Sequence, residues 1–223
     1  MYRPVIAGAV IAFGFLGWPG AQSGAPAFEL DAERMILEYD PAEDQVALLV
    51  SAESEVGLER VEVRDGTGHV LLRMRNYDGG SLGVYGFRVQ KGAGNAATAL
   101  GAYPEGVYQL WARTVDGQIA TGDATLSHAL LAAPVVTFPA YEASGVPAED
   151  LRVSWLPQAG VRGYQVGLEQ GETDLMVAQL GAGTSSFKVP QELLAPRTPY
   201  RIEVAAIGAN GNITLVKIPF TTL

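Results

Sequence analysis

The groups able to do chemistry in this 223-residue chain are 24 carboxylates, 15 basic side chains, two histidines and no cysteine. The absence of thiols removes disulfide scaffolding, thiol catalysis and thiolate metal sites. His69 and His128 each stand alone in a strand-like pattern, with no second histidine nearby in sequence. Neither reads as a zinc ligand or a triad base. Nothing in the spacing of the carboxylates singles out an acid–base pair, and hairpin loops build few deep clefts. Gly92-Ala93-Gly94-Asn95-Ala96-Ala97 matches the loose form of a dinucleotide loop. It is expected to lack the strand–helix context with a following acidic residue and is read as a flexible loop between strands. The chain is therefore expected to be non-enzymatic, with no cofactor, no metal site and no catalytic residue.

Charge is unevenly distributed. Residues 28–65 hold twelve Asp and Glu against three Arg, whereas the net charge of the whole chain is -9. An acidic chain of pI near 4.7 is a poor partner for a nucleic-acid backbone. The acidic stretch reads as a solvated face that aids solubility, or as a place to look for calcium, although no Asp-x-Asp-x-Asp-Gly loop occurs. Surface contacts are sought elsewhere. In Gly106–Thr114 strict alternation turns Tyr108, Leu110 and Ala112 to one side and Gln109, Trp111 and Arg113 to the other. If the first set is core, Gln109, Trp111 and Arg113 point outward, where Trp111 either is covered by the N-terminal segment or the other domain or, with its neighbours, offers a contact patch for a protein partner or a sugar ring.

These residues need a scaffold, and the scaffold reads as all-β. Fourteen short runs with period-two alternation are separated by turn residues, and helical periodicity is nearly absent. Asp65-Gly66, Asp116-Gly117 and Asn210-Gly211 are each expected to supply the positive φ angles of a tight hairpin. The segment Leu130-Leu131-Ala132-Ala133-Pro134 reads as a short apolar joint rather than a tether. It divides the chain at 133/134 into two sandwiches expected to hold a fairly fixed relation. The closing run, Ile213–Thr221, carries a single charge, Lys217, and is expected at or near a sheet edge. It pairs with Tyr200–Ile207 on one side, and Pro219 guards the other.

Residues 1–27 combine an early Arg3, an uncharged run from Val5 to Trp18 and small residues beyond it. This is the pattern of a secretory signal peptide, cleaved after Ser23 or after Ala27. It implies export to the periplasm or beyond, with no membrane span in the mature form.

The C-terminal part carries a family resemblance. Leu194-Ala195-Pro196-Arg197-Thr198-Pro199-Tyr200-Arg201-Ile202-Glu203-Val204-Ala205-Ala206 resembles the fibronectin type III signature around its tyrosine corner. The Trp155 strand, the Gly163-Tyr164-Gln165-Val166 strand and the closing Phe220-Thr221-Thr222 stand where that family has them. The resemblance implies a hydrogen bond from upstream backbone to the Tyr200 hydroxyl. Tyr103–Gly117 is similar to the penultimate-strand hairpin of bacterial immunoglobulin-like modules. Together these segments resemble secreted bacterial fibronectin type III proteins, which implies a fold and a compartment but no activity.

The expected architecture is thus a signal peptide (1–27), an immunoglobulin-like β-sandwich (28–133) and a fibronectin type III β-sandwich (134–223). The expected function is a non-enzymatic, exported interaction or scaffold module of a cell-envelope or extracellular assembly. It would act through a protein partner or self-association, with no nucleic acid. The alternative is a carbohydrate- or calcium-binding accessory module.

Overall fold

The computed structural model describes residues 28–76 and 83–223; the signal-peptide reading falls outside them. The described chain is β-structure with one short α-helix. The strands are β1 (Phe28–Glu29), β2 (Asp31–Asp40), β3 (Gln45–Arg64), β4 (Val70–Arg75), β5 (Val84–Gly94), β6 (Gly106–Thr114) and β7 (Ile119–Leu126). Then come β8 (Val136–Phe138), β9 (Ala143–Val146), β10 (Arg152–Trp155), β11 (Val161–Gln170), β12 (Thr173–Gly181), β13 (Ser186–Lys188), β14 (Pro199–Gly208) and β15 (Ile213–Thr222). Helix α1 spans Ala96–Ala102.

Among the described residues two large cores form, one on each side of the joint, and a third, small cluster of Ala205, Ile213 and Leu215 packs against Ile36. The first gathers residues from Leu30 to Leu126, among them Met35, Leu37, Val63, Tyr108 and Leu110. It is organised by β3, which is twenty residues long and runs through both strands expected in its place. Its first half pairs with β2 and β5, and its second half pairs with β4 and β6. The register shifts between Glu53 and Leu58 mark the bend at which the strand changes partners. At that bend Gly57 crosses Gly83 so closely that a Cβ on either would meet the other's backbone.

The second core gathers Leu151, Val153, Trp155, Tyr164, Val166, Tyr200, Ile202, Val204 and Phe220. Alternation selects these residues, because successive side chains of a strand point to opposite faces. Trp155 lies against Tyr164 with ring centroids 5.3 Å apart, and Tyr200 against Phe220 at 5.8 Å. The corner implied by the resemblance is present: the Ala195 N–H donates to the Tyr200 hydroxyl at 2.7 Å. The first core has a counterpart, since the Tyr108 hydroxyl donates to the Pro104 carbonyl, also at 2.7 Å.

Four expectations need correction. Gly92–Ala97 is not a flexible loop: it closes β5 and opens α1, whose first turn is capped by the Asn95 side chain accepting from the Thr98 N–H. At the Asp65 turn the positive φ falls on Gly68, not Gly66. Asp65 instead accepts from Thr67 and His69, fixing the turn through its own side chain. Strand β9 carries too short an alternation to be read and was not expected. Strand β15 is no edge: besides β14 it pairs in parallel with β9 and with β2.

The β2–β15 pairing joins strands from the two sides of the joint into one twelve-stranded sheet. Its rungs are Glu38 with Ile213 and Tyr39 with Thr214. Buried Asn212 extends the ladder, its Oδ1 accepting from the Leu37 N–H at 2.9 Å. Its Nδ2 donates to the carbonyls of Ser127, at 2.7 Å, and Ala129, at 3.0 Å. Asn210 donates to Ala129 as well. In the joint, Leu130 packs on the first core and Leu131 on the second.

Replacing Asn212 by Ala strands the Leu37 N–H and the Ser127 carbonyl at the seam, while Ala129 keeps its bond from Asn210. The expected cost is roughly 2–4 kcal/mol of unfolding free energy, read from urea titration. A loss below about 0.5 kcal/mol would show that the seam does not depend on this side chain.

Candidate functional site

The structure places Gln109, Trp111 and Arg113 on the outward face of β6, with Gln109 and Arg113 exposed and Trp111 half-buried. Tyr108, Leu110 and Ala112 fill the core beneath. The cross-strand register then brings four further arginines to the same face. Arg60 pairs with Arg75 on β4 and with Arg113 on β6, giving a row of three guanidinium groups across three adjacent strands. The next row is Arg73, Glu62 and Trp111, and Arg64 lies opposite Gln109. Five of the twelve arginines of an acidic chain thus stand on one sheet face.

What holds them is a carboxylate. Glu62 sits at the centre of the face with its side chain 1% exposed. It accepts from Arg60 and Arg64, and from Arg73 Nε at 2.8 Å. Hydrogen bonds from Arg64, then from Arg60 and Arg73, hold its carboxyl at about 2, below the usual value of 4.5. Glu59 makes longer ion pairs to Arg75, at 3.7 Å, and Arg113, at 3.6 Å. The Arg60 guanidinium lies over the Trp111 ring, 5.7 Å from its centroid. Two glutamates for five arginines leave the face cationic, and the side chains of Arg73, Arg75 and Arg113 remain more than half exposed.

Beside Trp111 opens a cavity of about 490 Å³ lined by Gln109, Thr121, Asp123, Arg64 and Glu33. Glu33 reaches it by lying across Gly122 of β7, where any Cβ would collide with the carboxylate. The cavity thus has a ring for a wall, together with donors and acceptors of both kinds.

Sequence reasoning found the β6 part of this face and missed Arg60, Glu62, Arg64, Arg73 and Arg75. The signal was present in Arg60-Val61-Glu62-Val63-Arg64 and Arg73-Met74-Arg75, whose alternation keeps the charges on one side. Only the register shows that it is the same side as Trp111.

A second titratable group lies across the β2–β15 seam. Glu203 of β14 is buried opposite Lys217 of β15, and Lys217 Nζ is 3.3 Å from Asp40. Buried Glu38 accepts from Gln90 at 3.3 Å, and Glu169 pairs with Arg201. Burial, then repulsion from Glu38, pushes the Glu203 carboxyl up to about 8, with Lys217 opposing. Among the described residues no three His, Asp or Glu are grouped to hold a metal ion. The acidic stretch is dispersed: Glu38 and Asp40 lie in the seam, while Asp44 accepts from the Ala96 N–H. His69 is exposed beside Asp65, and His128 contacts the Tyr103 carbonyl.

The two carboxylates respond to pH with opposite signs. Glu62 has a depressed pKa, so its contribution to stability is present above about 4.5 and is lost as pH falls toward 2. Glu62→Gln is expected to lower the thermal midpoint at pH 6 and to converge on the wild type near pH 2. A deficit independent of pH would refute the ionic role. Glu203 has a raised pKa, so the folded state binds its proton more tightly and loses stability as pH rises from about 4.5 through 8. Glu203→Gln is expected to match the wild type near pH 4 and exceed it above pH 8. Parallel midpoint–pH curves for the two proteins would disprove the assignment.

The sequence matches no protein-family model, and no curated protein matches it. Solved structures do. The fibronectin(III)-like modules of Clostridium thermocellum CbhA match over 86% of this chain and 92% of theirs, at 11% identity and a TM-score of 0.34. A two-domain fibronectin type III segment from chicken tenascin matches over 86% of this chain and 99% of its own, at 13% identity and a TM-score of 0.34. The chain is an all-β protein similar to fibronectin type III and immunoglobulin-like sandwiches.

Proposed function

We propose that this chain is an exported, non-enzymatic interaction module that serves as a scaffold component of a cell-envelope or extracellular assembly. Its contact surface is the face of β3, β4 and β6 that carries Gln109, Trp111 and Arg113. The observation that carries this reading is the array of five arginines around buried Glu62. Desolvating a carboxylate under three guanidinium groups is costly, and it holds their positions before any partner arrives. A face built merely for solubility needs no such anchor. Export is supported by the signal-peptide pattern of residues 1–27. The division at 133/134 into immunoglobulin-like and fibronectin type III sandwiches is supported by the separate cores on either side of the joint.

The test is retention of solubilised envelope components on immobilised protein, wild type against Arg75→Gln/Arg113→Gln. Components held by the wild type and released by the double variant are expected. Identical retention by both would move the contact surface away from this face. Self-association is read in parallel by light scattering after size-exclusion chromatography.

A further inference from the structure

The chemistry of the face identifies a class of partner, an inference that rests on the contact surface proposed above. Three features have to be met at once. The row Arg75–Arg60–Arg113 crosses three strands at about 4.8 Å per step, a line of cations about 10 Å long. Guanidinium groups make strong charge-assisted hydrogen bonds to carboxylates, and this chain already uses that pairing at Glu62 and between Arg201 and Glu169, where Nε–H and Nη–H converge on one carboxylate oxygen. The cavity beside Trp111, by contrast, displays two carboxylates, Glu33 and Asp123, together with Gln109 and Thr121. An acidic peptide entering it would bring like charges together, whereas a sugar ring offers hydroxyl donors to those carboxylates and apolar C–H edges to the indole.

We propose that this face binds a polysaccharide bearing uronic acid carboxylates. The carboxylates lie on the arginine row, and a neighbouring ring enters the cavity between Trp111, Asp123 and Gln109. An overall charge of -9 keeps the rest of the chain from binding polyanions at large, so attachment is confined to this face. Neutral polysaccharide leaves the arginines unanswered. Binding weakens with salt because the arginine heads are exposed.

Affinity electrophoresis in native gels containing polygalacturonate, neutral dextran, dextran sulfate or polyglutamate tests the proposal. The wild type is expected to be retarded by polygalacturonate, much less by dextran sulfate or polyglutamate, and not by dextran. Arg75→Gln/Arg113→Gln is expected to weaken polygalacturonate binding at least tenfold. Both positions are exposed, and an unchanged thermal midpoint confirms that the variant folds. Asp123→Asn keeps the arginine row and is expected to reduce the preference for polygalacturonate over polyglutamate. Equal retardation by polyglutamate or dextran sulfate would overturn the uronate assignment while leaving the face a polyanion surface. Retention of polygalacturonate binding by the double arginine variant would overturn the site. Absence of binding to all polyanions would overturn the inference, while the envelope-retention experiment decides the contact surface independently.

Discussion

The side-chain amide of Asn212 is the point on which the relation between the two main cores turns. It accepts from Leu37 on β2 and donates to Ser127 and Ala129 at the start of the joint, so one residue ties together a strand of the first core, the connecting segment and the closing strand of the second. The parallel rungs at Ile213 and Thr214 extend from it. A parallel pair of two rungs is weak by itself. The buried amide makes it specific, because any slip would leave both the amide and the Leu37 N–H without partners. The Asn210-Gly211-Asn212 turn takes its place beside Ile36 because Gly211 adopts a φ of +87°, where a side chain would be strained and would also crowd Ile36. The seam also joins the charges of the two halves: Lys217 of one meets Asp40 of the other, and Glu38 raises the proton affinity of Glu203 across it.

Much of the strand content was legible because it is local. Alternation located β6, and it located β11 and β14 to within a residue or two, since each buries one face in a sandwich core. The tyrosine corner at Tyr200 was legible from its resemblance. That at Tyr108 had the same kind of signal, in Tyr103-Pro104-Glu105-Gly106-Val107-Tyr108, but was not read. What sequence could not show is pairing. β3 looks like two strands because its middle, Glu53-Ser54-Glu55-Val56-Gly57, is polar and small, which is what a bend between partners requires. β15 looks like an edge because it has few charges. Its second neighbour, β2, lies some 170 residues away in the chain, and no local pattern names it.

The same distinction governs the candidate face. Gln109, Trp111 and Arg113 are side by side on one strand, so their common direction follows from alternation alone. The arginines of β3 and β4 join them only through register, and a slip of one residue would have turned Arg60, Glu62 and Arg64 into the core. Val61 and Val63 prevent that slip, because they must occupy the interior that the charged residues would otherwise enter. Packing of two valines is thus what aims three charges outward. Those charges are then held by one another: buried Glu62 accepts hydrogen bonds from Arg60, Arg64 and Arg73.

Glu62 and Glu203 show how one side chain type serves opposite ends. Both are buried carboxylates on strands, and both oppose a long side chain on the neighbouring strand, Trp111 for Glu62 and Lys217 for Glu203. Around Glu62 the near charges are guanidinium groups, so the carboxylate stays ionised and its neighbours keep surplus positive charge at the surface. Around Glu203 the near charges include Glu38, Glu169 and Asp174 against Lys217, so the group takes up a proton well above the usual carboxylate range. A neutral acid in the seam costs less to bury than an ionised one and leaves Lys217 available to Asp40. The cationic face and the sealed seam are therefore products of one rule: the charges packed around a buried carboxylate, guanidinium groups at Glu62 and further acids at Glu203, decide in which direction its proton affinity moves.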